Sequence, residues 1–433
     1  MSILLCVCEA FQLDLLKDTL SFAVKHIPYY RRRSKVYSVP INNLSDLSKL
    51  PFVEPDEFVK NPQRFVSSKK WPDAVSYSSS TTGDIGRPRW HSEKEFQAYF
   101  EFCRRMGWTG VDMMSLSIHP FDQGPAPSFP DDIRAVAVPL LVPWHYEKIH
   151  RILRDGWEAP DGFHKVHHMH GFSPGLRILT EWFRQREIDP ASFGIQLLEG
   201  YGSIQPEVWR RRLEKTWNAR YIDRYGLSEI KHSSGVECAD CGAYHFLPLV
   251  ITEVVDIKTR KPVQEGIGIM VFTELYPFAQ LQVLVRYWTG DIVEIAPACS
   301  HSSFGVRFLG RLLQSVVYRH PRAKPVVVGS LQVGEVCAEF PDIALSQISW
   351  ADWAKDVGCP RFELSSEDSK LIIRVELRYS PELFPDRVRE IKAHLGSALT
   401  EKVKDLGSAV KRREVDLQIQ VAGPGEISNP VKV

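Results

Sequence analysis

The hydroxyl- and glycine-rich stretch at 78–88 is the first part of the sequence whose residue types suggest chemistry. A loop of this kind can wrap phosphate oxygens, because its backbone N–H groups point inward, its hydroxyls donate and its glycines permit close approach. It is not a Walker A loop, since no Gly-Lys-Ser/Thr ending follows. A solvated loop without a ligand is the alternative that this stretch alone leaves open. The stretch consists of Ser78, Ser79, Ser80, Thr81, Thr82, Gly83, Asp84, Ile85, Gly86, Arg87 and Pro88.

Two further segments carry a carboxylate directly after a strand-like run. The first, 223–229, reads Asp-Arg-Tyr-Gly-Leu-Ser-Glu, and the second, 286–291, reads Arg-Tyr-Trp-Thr-Gly-Asp, with Gly310 and Arg311 further along the chain. Ligands of α/β proteins bind at the ends of such strands. Each segment alone could close a hairpin. Their order and spacing together favour a ligand site.

A cluster of cysteine and histidine residues predicts a metal site. Cys238-x2-Cys241-x3-His245, followed by Cys299, supplies three thiolates and an imidazole, which suits a closed tetrahedral structural Zn²⁺. His301 is a spare ligand should Cys241 be uninvolved. Buried free thiols are the alternative. The eight cysteines of the chain are too sparse and too unevenly spaced for a disulfide scaffold.

Two other polar segments have less specific interpretations. The histidines at 164, 167, 168 and 170 lack a nearby cysteine or carboxylate, so we expect a substrate-pocket wall or a loop rather than a metal site. The three arginines at 210–212 share a predicted helix with Trp209, Leu213 and Trp217. Because these apolar residues recur at helical spacing, we expect the arginines to form a solvated face rather than a nucleic-acid patch.

The amino-acid composition indicates a folded globular protein and gives no sign of a nucleic-acid or membrane partner. The 433 residues carry 54 basic and 53 acidic side chains. The net charge of the chain is therefore too small to attract nucleic acid or anionic lipid. A hydrophobic content of 44% and an aromatic content of 11% are typical of a folded globular chain. The apolar run at 3–7 is far too short to cross a membrane. We therefore predict a soluble, cytoplasmic protein without nucleic-acid or membrane partners.

Hydrophobic periodicity predicts the elements that must position these residues. Helical patterns occur at 11–27, from Ser173-Pro174 onward and behind Pro206, and they alternate with short β-rich runs, which argues a layered α/β body. Beyond Gly310 and Arg311 the pattern changes to a strand at 371–377, a helix from Pro385 and a strand at 415–421. This part predicts a smaller α+β unit. The β-rich runs lie at 136–142, 195–198, 245–257, 268–275 and 282–295.

In this order, the segments at 78–88, 223–229, 286–291 and 310–311 resemble the adenylate-forming (acyl-CoA synthetase-like) superfamily, most closely its phenylacetate–CoA ligase branch. The resemblance runs from about residue 20 to 311 and includes 26–31 and 47–60. It implies a large layered α/β adenylation domain at 1–310, which binds ATP and substrate, and a small α+β lid domain at 311–433.

The resemblance also implies a role for each matching residue. Ser78, Ser79, Ser80, Thr81, Thr82, Gly83 and Arg87 would hold the β- and γ-phosphates of ATP, and Gly200, Tyr201 and Gly202 would form the adenine-side loop. Tyr225 would flank adenine, Glu229 would bind Mg²⁺, Asp291 would accept hydrogen bonds from the ribose hydroxyls, and Arg311 would lie nearby. Lys432 is the nearest match to the family's catalytic lysine, and Cys238 and His245 reproduce the branch's zinc-ligand spacing.

The implied reaction is ATP-dependent adenylation of a small carboxylic acid, with an aromatic acid favoured, followed by transfer to CoA or another thiol. Such chemistry needs positioning and charge neutralisation rather than a nucleophilic triad. Alternative acceptors are a carrier protein, an amine that gives an amide, or an aryl amine in nitrite-dependent diazotisation. A non-catalytic nucleotide-binding relative is a further alternative, and a second copy of the chain is a candidate partner.

Overall fold

The computed structural model describes residues 2–69, 71–77, 88–105, 114–119, 134–160, 162–318, 325–367 and 370–431. The predicted phosphate loop at 78–87 and Lys432 lie outside these described residues. The helices are α1 (Ser2–His26), α2 (Pro28–Arg31), α3 (Ser34–Tyr37), α4 (Pro55–Lys60), α5 (Glu93–Arg105), α6 (Pro143–Asp155), α7 (Ser173–Gln185), α8 (Glu207–Trp217), α9 (Ser330–Cys337), α10 (Pro385–Lys402) and α11 (Lys404–Lys411).

Most strands of the described chain join one large sheet. In chain order the strands are β1 (Ala74–Tyr77), β2 (Pro88–His91), β3 (Met114–His119), β4 (Arg134–Pro139), β5 (Trp157–Ala159), β6 (Gly162–His164), β7 (Val166–Phe172), β8 (Leu197–Tyr201), β9 (Arg220–Tyr225), β10 (Gly235–Glu237), β11 (Tyr244–Phe246), β12 (Val250–Val255), β13 (Ile267–Glu274), β14 (Tyr287–Ile295), β15 (Val306–Arg311), β16 (Val316–Tyr318), β17 (Val326–Val328), β18 (Phe362–Glu367), β19 (Lys370–Glu376) and β20 (Asp416–Ala422).

The central sheet changes from antiparallel to parallel at β9. Its order, counted over the described residues, is β12-β13-β14-β15-β11-β10-β9-β8-β7-β3-β4. The strands from β9 to β4 pair in parallel, and the others pair antiparallel. The helices α7 and α8 connect successive parallel strands, as βαβ crossovers require. The carboxyl ends of β3, β4, β7, β8 and β9 therefore meet at one edge of the sheet, where α/β proteins bind ligands.

Each half of the sheet buries its own apolar cluster. Alternate residues of the parallel half, among them Leu116 and Met169, pack against α6, α7 and α8 through residues such as Trp182 and Trp217. The antiparallel half packs against α1 to α4, where the helix predicted at 11–27 packs through Leu16 and Leu20. These contacts agree with the predicted layered α/β architecture, and the predicted helices at Ser173, Pro206 and Pro385 are confirmed as α7, α8 and α10.

Many residues from 316 onward form a separate apolar cluster, whereas Ala351, Ala354 and Val357 pack in the cluster of the parallel half of the large sheet. The strands β18, β19 and β20 form a three-stranded sheet, in which β19 and β20 are parallel. The apolar side of α10, with Ile391, Leu395 and Leu399, packs in this cluster together with α9 and α11. In the described part of the chain, no helix combines the length and the apolarity that a membrane crossing needs.

Candidate functional site

A cleft opens beside the carboxyl ends of β8 and β9. Its walls combine the turn after β8, the end of β9, strands β14 and β15, and the beginning of α9. Of the residues singled out in the sequence, Gly202, Tyr225, Asp291 and Arg311 line it. Its other lining residues are Ser203, Ile204, Arg224, Gly226, Phe308, Gly310, Gln314, Ser330 and Leu331.

Asp291 is the hub of polar contacts in this cleft. It pairs with Arg311 across β14 and β15, so both side chains lie on the same face of the sheet. The Tyr225 hydroxyl donates to Asp291 Oδ2 at 2.6 Å, and Arg311 Nε lies 3.3 Å from Oδ1. Burial and the Asp291 carboxylate raise the pKa of Tyr225 well above its usual value. The phenol therefore stays protonated and donates to the carboxylate.

The Tyr225 ring continues the same wall. It stacks on Phe308, with 4.1 Å between the ring centroids and 21° between the planes. Strand β15 carries Phe308 beside β14, and β9 ends at Tyr225, so the wall is assembled from three separate strands. An aromatic wall next to a carboxylate can hold a planar heterocycle and a hydroxyl-bearing group side by side.

The glycines at the end of β8 are required by close packing. Gly202 has φ +83°, and a Cβ there would lie 2.5 Å from the Phe172 ring. A Cβ at Gly200 would lie 1.7 Å from the Tyr221 hydroxyl. The carbonyl of Tyr201 accepts a hydrogen bond from Ser173 Oγ at 3.2 Å. Of the three residues predicted for the adenine side, only Gly202 belongs to the described cleft lining.

Glu229 lies deeper, at the junction with the hairpin of β1 and β2. Its Oε1 accepts a hydrogen bond from the Tyr287 hydroxyl at 3.0 Å, and its carbonyl oxygen accepts from Gln282 Nε2 at 2.9 Å and from the Arg89 guanidinium. Tyr77 and Pro88, the described residues on either side of 78–87, pair at the end of the hairpin. The next residue, Arg89, contacts the Glu229 carbonyl, so this end of the hairpin lies beside Glu229.

A buried network of charges surrounds this end of the hairpin. Arg89 pairs with Glu274 at 2.8 Å, and Lys231 pairs with Glu95. Glu95 Oε1 also accepts the backbone N–H groups of 280 and 281, at 2.6 and 2.9 Å. Burial, together with the Arg89 charge, lowers the pKa of Lys231 to about 8. Buried charges persist only when they are paired and hydrogen-bonded, and here the pairs tie β2, α5 and β13 to the segment that carries Glu229.

The four predicted metal ligands come together. The hairpin of β10 and β11 carries Cys238, Cys241 and His245, the loop between β14 and β15 adds Cys299, and their ligand atoms all lie within 4.8 Å of one another. His245 Nε2 lies 3.4 Å from Cys241 Sγ and 3.2 Å from Cys299 Sγ. His245 Nδ1 lies 2.8 Å from the carbonyl oxygen of Phe304, which fixes the tautomer that turns Nε2 toward the sulfurs.

This donor set fits a tetrahedral zinc ion. Ligand atoms about 2.0–2.3 Å from one zinc ion lie roughly 3.5 Å apart, close to the observed spacing. Backbone N–H groups, that of His301 first, lower the pKa of Cys299 to about 6, which favours a thiolate. The spare candidate His301 lies outside the set: its Nδ1 is 3.7 Å from Cys238 Sγ and 3.3 Å from the exposed Asp240.

Two expectations need correction. Of the two alternatives for the histidine-rich segment, a substrate-pocket wall or a loop, the loop is wrong for 166–172, which form β7 between β3 and β8. The pocket wall stays a prediction. Nor is Arg210 part of a solvated face, because its NH1 lies 2.7 Å from Glu237 and its NH2 lies 4.0 Å from Asp223. The helix α8 lies against β9, which turns Arg210 inward, whereas Arg211 and Arg212 are exposed as expected.

Several lining residues carried no recognisable signal in the sequence. Arg224 stands inside the Asp-Arg-Tyr-Gly segment, but nothing in that segment alone shows that it faces the cleft. Phe308 is one of several alternating residues in β15, and Ser330 begins a helix that lies next to β15. Their positions depend on strand register and on the packing of α9, which local sequence does not specify.

Comparisons with known proteins agree with this geometry. No protein-family model matches the chain. A phenylacetate–coenzyme A ligase of Aromatoleum evansii is 24% identical over 420 residues, which cover 92% of this chain and 87% of that protein. An open conformation of 2-hydroxyisobutyryl-CoA ligase in complex with 2-HIB-AMP and CoA superposes with a TM-score of 0.68 and 14% identity, covering 98% of this chain and 90% of that one.

A second structure of 2-hydroxyisobutyryl-CoA ligase, in the postadenylation state with 2-HIB-AMP, gives a TM-score of 0.66 at 15% identity, covering 98% of this chain and 88% of the other. The predicted resemblance to the phenylacetate–CoA ligase branch is confirmed by the sequence match, and the predicted α/β fold is confirmed by the solved ligases.

Proposed function

We propose that this chain is an ATP-dependent acid–CoA ligase, which adenylates a carboxylic acid and then transfers the acyl group to CoA. The observation that carries the proposal is the cleft in which β9, β14 and β15 bring Tyr225, Asp291 and Arg311 together, within a fold shared with CoA ligases. Sequence similarity to a phenylacetate–coenzyme A ligase favours an aromatic acid.

The cleft suits the nucleoside part of ATP. The Tyr225 hydroxyl and Arg311 orient the Asp291 carboxylate at the wall of the cleft. In this proposal the carboxylate accepts hydrogen bonds from the ribose hydroxyls, while the Tyr225 ring flanks the adenine. Gly202, which has no side chain, also lines the cleft.

The triphosphate belongs between Glu229 and the loop at 78–87. In this proposal Ser78, Ser79, Ser80, Thr81, Thr82, Gly83 and Arg87 bind the β- and γ-phosphates, and Lys432 contributes a cation to the α-phosphate. Glu229 supplies a carboxylate of the type that Mg²⁺ prefers, and the ion neutralises phosphate charge when it is bound. The Arg89 contact to Glu229 supports the neighbourhood of loop and carboxylate.

We assign Cys238, Cys241, His245 and Cys299 to a structural zinc ion. The ion would fix the hairpin of β10 and β11 to the loop before β15, and so stabilise two of the strands near the cleft. The domain boundary at 310/311, the cytoplasmic localisation and the homodimer stay predictions of the sequence.

The reaction products test the proposal. Purified enzyme is incubated with ATP, Mg²⁺ and a panel of aromatic and aliphatic acids, with and without CoA, and AMP, pyrophosphate and acyl-CoA are quantified by mass spectrometry. We expect pyrophosphate release with at least one acid, and a thioester only when CoA is present.

Other reaction products would change the acceptor or contradict the proposal. An adenylate that is consumed only by a carrier-protein thiol or by an amine would replace CoA as the acceptor. Release of ADP, or no acid-dependent AMP from any member of the panel although ATP binds, would contradict the ligase assignment.

A further inference from the structure

A second group of possible metal ligands adjoins the four-residue zinc cluster. Cys238, Asp240 and His301 each offer one ligand atom, and these atoms all lie within 4.8 Å of one another. Asp240 lies in the turn between β10 and β11, and His301 lies in the loop between β14 and β15. The two segments that supply the zinc cluster therefore supply this group as well, and Cys238 belongs to both. We call Cys238, Asp240 and His301 the outer group.

The spacing of the outer group fits a zinc ion. Two ligand atoms that lie about 2.0–2.3 Å from one tetrahedral zinc ion are roughly 3.3–3.8 Å apart. His301 Nδ1 lies 3.7 Å from Cys238 Sγ and 3.3 Å from Asp240 Oδ2. Thiolate, imidazole and carboxylate are also the ligand types that zinc uses in proteins. The Ser300 hydroxyl, 3.2 Å from His301 Nδ1, contacts the same nitrogen and has to turn away when a metal ion binds.

The charge around the outer group favours a second cation. Three thiolates and a neutral imidazole around one Zn²⁺ leave one negative charge, and the Asp240 carboxylate adds another. Arg307, which donates to the Cys241 carbonyl at 2.9 Å, offsets only part of this charge. A thiolate sulfur that is bound to one zinc ion keeps lone pairs, so Cys238 can bridge to a second ion.

The outer group is more exposed than the zinc cluster. All four members of the zinc cluster are half-buried, whereas the side chains of His301 and Asp240 are 60% and 63% exposed. Three protein ligands leave one tetrahedral position for water. Ordering two exposed side chains costs conformational entropy, so an ion in the outer group is held less tightly than an ion in the zinc cluster. Such an ion exchanges with the solvent.

We infer that the outer group binds a second, exchangeable zinc ion, which shares the Cys238 thiolate with the structural ion. Asp240 Oδ2 and His301 Nδ1 supply its other protein ligands, and water completes the coordination. The inference rests on the structural zinc assigned above. It goes beyond the ligase function, because none of the three residues lines the described cleft.

Zinc stoichiometry tests the inference. The full chain, purified without a histidine tag, is dialysed to equilibrium against buffers of increasing free Zn²⁺, and bound zinc is measured by elemental analysis. In metal-free buffer we expect about one equivalent to remain, and at saturating Zn²⁺ about two. His301→Ala and Asp240→Asn should keep the first equivalent and raise the Kd of the second about 10- to 100-fold. His394→Ala, which removes an exposed histidine of α10, is the matched control and should bind both equivalents.

Cobalt shows whether the second ion contacts sulfur. Protein that holds zinc in the tight site is titrated with Co²⁺, and elemental analysis confirms that the first zinc stays in place. We expect a sulfur-to-cobalt charge-transfer absorption in the native chain and none in His301→Ala. No second equivalent at saturating Zn²⁺, a second equivalent that both variants bind with the native Kd, or a cobalt spectrum without the charge-transfer band overturns the inference.

The same native preparation separates this inference from the assignments on which it builds. Protein that holds no zinc at any concentration of free Zn²⁺ overturns the structural zinc together with the inference. Acid-dependent AMP formation decides the ligase function independently of the zinc stoichiometry.

Discussion

Replacing Asp291 by asparagine should weaken nucleotide binding without changing the shape of the cleft. Two neighbours of the carboxylate are donors: the Tyr225 hydroxyl at 2.6 Å and Arg311 Nε at 3.3 Å. An asparagine can satisfy one of them with its oxygen, but its amide NH2 must face the other. The variant therefore loses both the negative charge and one of its orienting contacts.

The expected loss of ATP affinity in Asp291→Asn follows from these contacts. Hydrogen bonds to a charged group contribute about 1.5–3 kcal/mol each, and Asp291 is expected to form at least one with the ribose. We therefore expect a loss of about 2–3 kcal/mol, or roughly 30- to 150-fold in the Kd of ATP. Tyr225→Phe keeps the ring that stacks on Phe308 and removes only the orienting hydroxyl, so it should cost about 1 kcal/mol, or about fivefold.

Isothermal titration calorimetry with ATP and with AMP measures these losses. Glu294→Gln is the matched control, because Glu294 is an exposed carboxylate on the same strand, β14, and does not line the described cleft. The control should bind ATP as the native protein does. A Kd for Asp291→Asn within twofold of the native value would refute the assignment of Asp291 to the ribose.

Three further predictions concern metal and stability. Cys299→Ser should lower bound zinc from about one equivalent per chain and lower the melting temperature, whereas Cys359→Ser, outside the cluster, should retain the metal; zinc-free native protein, purified without chelator, contradicts the site. Arg89→Met leaves Glu274 buried and unpaired and should cost about 3–5 kcal/mol in urea unfolding, and a loss below about 1 kcal/mol would count against the buried network. Burial raises the pKa of Asp223 to about 7, so the folded state binds a proton that the unfolded state releases near pH 4, and this contribution to stability declines as the pH rises to about 7. Asp223→Asn should therefore gain stability relative to the native protein between pH 5 and 8, and a difference that is independent of pH would contradict the raised pKa.

Local sequence was sufficient to find the residues that lie at strand ends. Tyr225 is predicted at a strand end, and it is the last residue of β9. The prediction that Asp291 directly follows a strand is wrong, because Asp291 lies within β14, where it pairs with Arg311 of β15 and reaches the same cleft. The metal cluster could also be predicted from the sequence, because a single hairpin supplies Cys238, Cys241 and His245. The helices that begin at Ser173, Glu207 and Pro385 were predicted because proline and apolar periodicity mark their starts.

Contacts between residues that are far apart in the sequence could not be predicted in this way. Arg89 meets Glu274 across 185 positions, and Lys231 meets Glu95 across 136, with no motif that links either pair. The side of the sheet that each side chain faces depends on the register of β3, β7 and β8, and a shift of one residue would turn His170 and Glu199 toward the apolar cluster around Leu116 and Met169. The solvated face predicted for Arg210 is wrong because its acidic partner Glu237 lies in β10, outside the helix that carries Arg210.

The central claim is that one nucleotide spans the cleft from Tyr225 to Glu229. A crystal structure with bound ATP and Mg²⁺ tests it most directly. We predict adenine against the Tyr225 ring, ribose hydroxyls within hydrogen-bonding distance of Asp291, and phosphates directed toward Glu229 and the loop at 78–87. A nucleotide bound elsewhere, or one whose ribose makes no contact with Asp291, would contradict it.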